Sequence, residues 1–415
     1  MHGRRAPALW LAAALLWFGP LNTPHLFDPD EGRYAEIARE MVASGDWVTP
    51  RLDAIKYFEK PVLQYWATAV AFRLFGQHAW AARLWPALCG FLGLLLSWAL
   101  ARELYDQRCA ALAVIVQASA LLYLALARIA TLDMSLSFGL QIAMCALALL
   151  ARQRSVGWRL PAMLGLGIAV AVLSKGLVGI LIPGAVACVY LLWRRDWTLP
   201  WRAQPWWTVI ALAVLAAPWF VAVSVRNPEF GHFFFIVQHF QRYLSRTGFD
   251  RYQPVWFFVW VLALGFLPWT TLLPGALRQA WSGARAGERG TAMLLVWAVF
   301  VFAFFSLSQS KLIPYIVPVL PALAILTGRS LAAMSAPRFA RHLGVVAIAA
   351  FALGLLIVLL WRLPAAAPLV AQASTLSIAG FAAAFLLLAL GAAVGMHLAR
   401  RAHVIAAAMA AGLGG

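Results

Sequence analysis

Apolar runs long enough to cross a bilayer recur along almost the whole chain, and no other feature restricts its fold so severely. A hydrocarbon core about 30 Å thick calls for roughly 20 apolar residues of helix. Inside that core every backbone N–H and C=O must find its partner within the protein. Twelve such runs can be drawn, at about 7–22, 80–101, 109–127, 134–151, 160–174, 176–193, 206–224, 255–277, 291–307, 314–330, 343–361 and 375–399. Residues 404–415 are apolar as well and would begin a thirteenth. With 63% of its residues hydrophobic and 12% charged, a soluble domain of 415 residues could not bury this much apolar surface. The expected fold class is an all-α polytopic membrane protein with about 12–13 transmembrane helices.

The charges give an independent test of this division. A net charge of +18 would suggest nucleic acid in a soluble protein, but in a membrane protein basic residues hold loops on the cytoplasmic side. No nucleic-acid partner is expected. Arg4 and Arg5 precede an apolar run to Leu21 with no clean cleavage site before Pro24, which reads as an uncleaved first span with a cytoplasmic N-terminus. The predicted cytoplasmic segments then hold 18 basic and four acidic residues, the outer ones 15 basic and 11 acidic. Segment 61–75 carries Arg73 and is short; as a span it would turn most Arg-rich loops outward, so it is expected to lie at the outer interface. Cys89, Cys109, Cys145 and Cys188 lie in or beside apolar runs without metal-like spacing and read as packing residues.

Chemistry-bearing residues concentrate on the predicted outer side. The first outer loop, 23–79, contains FDPDEGRYAEIAREMVASGDW, with Asp28 as a helix cap, Pro29 at the first position and Ser44-Gly45 at the end. Tyr34, Ile37, Ala38, Met41 and Val42 recur on one face of that helix, which should lie on the membrane surface. Asp30 and Glu31 in its first turn can serve the helix dipole or a reaction. The cluster Tyr57-Phe58-Glu59-Lys60-Pro61 follows just before a second helix start. Asp133 ends a short turn that begins at Arg128, which could pair with it; a lone Asp at mid-bilayer costs roughly 2.5–3.5 kcal/mol. All four lysines, Lys56, Lys60, Lys175 and Lys311, fall on the predicted outer side of a chain with 33 basic residues. Lys175 can be a snorkelling turn residue, or it can share an anionic ligand with Lys311 near Tyr315. The other outer loop, 225–254, has a helical aromatic stretch from Phe233 to Leu244 with His239 and Arg242. His239 can be structural, or it can join a carboxylate such as Glu59 at a metal.

A carboxylate group beside phosphate-binding cations at one membrane surface suits transfer of a sugar from a polyprenyl phosphate. The cations neutralise the departing phosphate, and a carboxylate serves the nucleophile and the developing oxocarbenium. No Gly-rich nucleotide loop, zinc signature or nucleophile elbow occurs, which favours a lipid-borne donor and no nucleotide cofactor.

Taken together, DPDEGRYAEIAREM, YFEKP, the TLD turn, QHFQRYL and SQSKLIPY resemble, in consistent order from Phe27 to Leu326, the aminoarabinose transferases that modify lipid A. Those enzymes belong to the wider family, with the GT-C fold, that includes dolichyl-phosphate-mannose protein mannosyltransferases. The resemblance implies a thirteen-span GT-C domain over residues 1–415 and undecaprenyl phosphate as sugar carrier in a bacterial inner membrane, with the site facing the periplasm. It implies Asp30 and Asp133 as catalytic-site carboxylates, and Lys60, Arg242 and Lys175 at the carrier phosphate. Glu31, Arg33, Tyr57, Lys311 and Tyr315 would line the cavity, and Glu59 and His239 would hold zinc or another divalent metal. Gly32 stands where the lipid A enzymes tend to have Thr, and the family's usual C-terminal soluble periplasmic domain is expected to be absent. The expected acceptor is lipid A or another envelope glycan or protein, including a protein Ser/Thr as in O-mannosylation. A lipid flippase or transporter is the rival class; it predicts charges within spans and repeated halves, and neither is evident here.

Overall fold

Residues whose backbone cannot be hydrated must satisfy it locally, and in the computed structural model the apolar runs are accordingly helices. The structure describes residues 15, 17–22, 26, 29–153, 157–241, 252–361, 375–400 and 404–413, with the backbone alone at 238–241, 357, 360–361, 375–379, 381–382 and 413. Among these, seven helices are long and apolar enough to cross a membrane: Ala79–Leu104, Leu132–Arg152, Leu199–Arg226, Arg289–Leu307, Ile313–Ala333, Ala336–Leu356 and Ala383–Arg400. A bent pair, Phe257–Gly265 and Thr270–Arg285, makes an eighth, its halves inclined by 113°.

The expected spans map onto these elements with some changes of form. The run expected at 109–127 is two helices, Gln107–Ser119 and Leu121–Leu126, parted where Ala120 takes an extended conformation. Those at 160–174 and 176–193 are helices Arg159–Lys175 and Val178–Arg194, each 17 residues long. The continuous span expected at 255–277 is the bent pair, with Pro268 in the break. Within the apolar stretch 404–415, Val404–Leu413 form a helix. Most of the first run lies outside the described residues.

We label the elements that build the site α1 (Asp30–Ser44), β1 (Arg51–Leu52), β2 (Ile55–Lys56), α2 (Leu63–Phe75), α3 (Ala79–Leu104), α4 (Leu132–Arg152), α5 (Arg159–Lys175) and α6 (Val178–Arg194). In α1 the helix begins at Asp30, with Pro29 at the cap position rather than inside the helix; Asp28, the expected cap, lies outside the described residues. Gly45 closes the helix at φ 71°, donating its N–H to the Met41 carbonyl. The face of Tyr34, Ile37, Ala38 and Met41 is buried, and it packs on α2, which starts at Leu63 rather than at Pro61. The short antiparallel pair β1–β2 follows α1, with Arg51 opposite Lys56.

The chain divides into two compact units. The first comprises Met1–Leu96, Leu124–Val261 and Gly283–Ala322. Its centre is α4, almost wholly buried, crossed closely by α5. A Cβ at Gly139 would lie 2.6 Å from the Ala171 nitrogen, and one at Gly167 2.5 Å from that of Ala143. Small residues let the two backbones touch, the usual solution where helices gain nothing by hiding apolar side chains from lipid. The second unit comprises Ser97–Tyr123, Leu262–Ser282 and Leu323–Gly415. There Ala336–Trp361 packs along Thr375–Arg400 through Val346, Ala350, Leu388, Ala389 and Ala392.

Contacts within the first unit sort the loops into the same two groups as the charge count. Segments expected outside touch one another: Glu31 with Ala130, Lys56 with Glu229, Asp133 with Lys175, and Lys311 with Gln253. Segments expected inside do likewise: Arg194 with Ala284, Arg202 with Gln153, and Asp196 with both Arg202 and Arg289.

The α4–α5 crossing carries a prediction. Gly167→Leu should destabilise by about 1–3 kcal/mol through overpacking, whereas Gly184→Ala, with no atom within 4 Å of the added carbon, should be neutral. Thermal unfolding in detergent measures both; an unchanged midpoint for Gly167→Leu would contradict this close contact.

Candidate active site

Two adjacent acids at the start of α1 meet opposite fates, because successive helical residues point about 100° apart. Glu31 turns inward and is fully buried. Its carboxylate accepts from Arg83 Nε at 2.8 Å and Nη2 at 2.7 Å, and from the backbone N–H of Ala130 at 2.6 Å. Arg83, on α3, also donates to the Leu21 carbonyl at 3.0 Å. Glu31 was expected to line the cavity. It is instead a structural anchor, since a carboxylate out of water must be paired and fully hydrogen-bonded.

Asp30 points outward and is half exposed, 3.7 Å from Arg33 Nη1. Arg33 hydrogen-bonds Tyr57, which donates its hydroxyl to Glu59 Oε2 at 3.2 Å. Asp30, Arg33, Tyr57 and Glu59 thus form one polar chain joining α1 to the YFEKP segment. Burial, reinforced by the Glu59 charge, pushes the Tyr57 hydroxyl up to about 12. Lys60 is half-buried beside this chain and donates to the Glu59 carbonyl at 3.0 Å.

A second cluster forms where α4 begins and α5 ends. Asp133 lies in the first turn of α4, and its Oδ1 accepts from Lys175 Nζ at 2.5 Å. Their side chains are 13% and 16% exposed, enough for a ligand to reach them but not for free hydration. The ammonium of Lys175 also sits 4.1 Å from the ring centre of Tyr315, a cation–π contact. The expected partner of Asp133 was Arg128, its neighbour in the turn; the structure pairs it with Lys175, from 42 residues away. Lys311, expected at the same cavity, is 3% exposed and spends its ammonium on the carbonyls of Gln253 at 2.7 Å and Ser308 at 2.5 Å. Burial holds its pKa below the usual lysine range. It therefore ties two loops together.

The two clusters are coupled. Glu31, next to Asp30, holds Ala130, three residues before Asp133. Tyr34 lies in the field of both carboxylates: burial first, then Tyr57, Asp30 and Asp133, raise its hydroxyl well above the ordinary value. The sequence marks Tyr34 only as part of the apolar face of α1, and Arg83 is not among the expected site residues. For Arg83 the signal was present, as a lone charge inside the expected span 80–101 needs a partner.

The loop at 225–254 docks against the one at 23–79. Lys56 pairs with Glu229 at 2.7 Å, Arg226 with Asp46 at 3.2 Å, and Asn227 donates to Thr49 Oγ1 at 3.0 Å. Phe58 meets Phe230 edge-on at 5.3 Å. The helical turns His232–Gln241 carry the His239 backbone, whose side chain lies outside the described atoms, as does the whole of Arg242. Among the described residues one acidic group has metal-like spacing, Glu36, Glu40 and Asp53, and it does not include Glu59. Glu36 is taken by Arg39 and Glu40 by the Ala54 N–H.

The fold of the chain has known counterparts. The chain superposes on the crystal structure of ArnT from Cupriavidus metallidurans bound to undecaprenyl phosphate with a TM-score of 0.88, at 39% identity, covering 99% of this chain and 76% of that one. An archaeal oligosaccharyltransferase from Archaeoglobus fulgidus shares the fold alone, with a TM-score of 0.51 at 17% identity over 99% of this chain and 56% of that one. These neighbours define the class: a membrane protein with the GT-C glycosyltransferase fold. Residues 4–234 match the family described as dolichyl-phosphate-mannose-protein mannosyltransferase, and the chain belongs to that family. It is 37% identical over 331 residues to the undecaprenyl phosphate-alpha-4-amino-4-deoxy-L-arabinose arabinosyl transferase of Pseudomonas aeruginosa, covering 78% of this chain. The chain spans 59% of that relative's length.

Removing one partner of the buried anchor should be costly. Arg83→Ala or Glu31→Ala should each destabilise by about 3–5 kcal/mol, since each strands a buried charge. The double variant Glu31→Gln with Arg83→Met should recover part of the loss, read as the melting temperature of the purified protein.

Proposed function

We propose that the protein transfers a sugar, 4-amino-4-deoxy-L-arabinose or a related one, from undecaprenyl phosphate to lipid A or another envelope acceptor. Its place is the bacterial inner membrane, with a cytoplasmic N-terminus and the site at the periplasmic surface. The observation that carries this reading is the half-buried Asp133–Lys175 pair beside Tyr315, coupled through Glu31 and Ala130 to the exposed Asp30. The relatives add the carrier: one is named for an undecaprenyl phosphate-linked aminoarabinose, and another is bound to undecaprenyl phosphate.

The reaction is an in-line displacement with inversion. The acceptor oxygen bonds to the anomeric carbon while the bond from that carbon to the phosphate oxygen breaks, its electron pair leaving with the phosphate. Lys60, Arg242 and Lys175 bind that phosphate and neutralise the charge it gains. Asp133 fixes Lys175 in place and offers its second oxygen to the positive sugar ring. A lipid A phosphate is already an anion and attacks without a base. A hydroxyl acceptor loses its proton to Asp30, whose exposure leaves it free to receive one. Arg33 and Tyr57 orient Asp30, and Tyr315 walls the sugar pocket next to Lys175. Zinc or another divalent metal would be held by Glu59 and His239, close to the Tyr57 hydroxyl, and no step here depends on it. Transfer to protein Ser/Thr is the second reading, favoured by the matching family's description.

Purified protein supplied with undecaprenyl-phosphate-aminoarabinose and lipid A should release undecaprenyl phosphate. Lys175→Ala should slow release by about 100-fold or more, the scale of a lost charge clamp, and with a hydroxyl acceptor Asp30→Asn should do the same, the scale of a lost general base. Release with the sugar on a model peptide rather than on lipid A would favour the second reading. Unchanged turnover in both variants would refute the assignment of the site.

A further inference from the structure

A cavity of about 700 Å³ opens at the end of α6 opposite Lys175, lined by Tyr190, Arg194, Arg195, Asp196, Arg202 and Arg289. It stands about 25 Å, the length of a 17-residue helix, from the Asp133–Lys175 cluster. Nothing in the proposed transfer reaction uses it.

Four arginines and a single carboxylate line the cavity. Asp196 is shared between Arg202 Nη2 at 2.5 Å and Arg289 Nη1 at 3.8 Å, and Arg194 donates to the Ala284 carbonyl at 2.9 Å. Arg195 is exposed, held in a left-handed turn at φ 51°. The lining therefore keeps an excess of positive charge. Its two most buried polar members are also incompletely satisfied. Arg202, 8% exposed, uses its terminal nitrogens on the Gln153 and Leu150 carbonyls and Asp196, while its Nε has no partner. Tyr190 is fully buried and its hydroxyl likewise has no partner. Buried donors are nearly always satisfied in a folded protein, so two of them on one basic cavity point to an acceptor-rich, anionic occupant.

The rim says what kind of anion. Trp197 and Trp201 line the opening and are 62% and 78% exposed, and Leu192 and Trp193 on the adjoining turn of α6 are exposed too. Exposed tryptophans at the end of apolar helices sit at the headgroup level of a bilayer, and basic pockets at that level take lipid phosphates. We infer that this cavity is a binding site for the phosphate headgroup of an anionic membrane lipid in the leaflet opposite the candidate active site, with Arg195 and Arg289 as the accessible cations and Trp197 and Trp201 against the glycerol and upper acyl region. Keeping cations on one side of the membrane requires only that arginines be in these loops. It does not require that they converge on a cavity with buried donors.

The test is a titration of the full purified chain with phosphatidylglycerol and, in parallel, phosphatidylcholine, read by native mass spectrometry. Excess inorganic phosphate serves as competitor. Phosphatidylglycerol should bind about tenfold more tightly than phosphatidylcholine, and Arg195→Gln with Arg289→Gln should erase that preference while phosphate leaves it intact. Arg195→Lys, which keeps the charge, should retain most of it. Should the double variant prove unstable, Arg195→Gln alone, at an exposed position, should lower the preference at least about threefold. Equal binding of the two lipids, or wild-type preference in the glutamine variants, would overturn the proposal. Displacement of phosphatidylglycerol by phosphate would overturn it as well, since the site would then belong to a soluble anion.

Discussion

The buried pair of Glu31 and Arg83 is the interaction on which the candidate site of the first unit depends. Both side chains are almost entirely out of water, 1% and 2% exposed. Ions so placed persist where each finds its counter-charge and a full set of hydrogen bonds. Those partners come from the first outer loop, from α3, and from the turn before α4. One charge requirement therefore fixes three segments that are far apart in sequence. Asp30 and Asp133 inherit their positions from it, one residue and three residues from the anchored atoms. The polar chain from Asp30 to Glu59 and the Asp133–Lys175 pair are built outward from that joint.

Much of the fold was legible because membrane solvation leaves few choices. Apolar runs gave the helices, and the unequal distribution of arginine sorted the loops into two sides that contacts within the first unit reproduce. The breaks were not legible. Pro86 and Pro183 lie inside continuous helices, whereas Pro268 falls in a sharp bend, so proline alone could not tell the cases apart. The parting at Ala120 has no local signature; Trp269, from another part of the chain, bonds the neighbouring Ser119.

For the candidate site, the residue types were readable and their partners were not. Charge is scarce in this chain, so Asp30, Glu31, Asp133 and Lys175 stood out where they occur. Pairing, however, is settled by tertiary approach. Asp133 passes over Arg128 in its own turn for Lys175 across a helix crossing, and Lys311 turns onto two backbone carbonyls. The glycines that bring α4 and α5 together decide which cation meets which acid.

The docking of the loops at 23–79 and 225–254 has a different electrostatic character from the Asp133–Lys175 pair. Lys56–Glu229 and Arg226–Asp46 are largely open to solvent, while Lys175–Asp133 is mostly shielded. Mobile ions screen exposed charges over about 8–10 Å at physiological ionic strength and reach enclosed ones far less. The rim of the site is thus sensitive to the ionic medium and its interior is insulated from it. Added salt should therefore loosen the docking of the two loops while leaving the Asp133–Lys175 pair largely unchanged.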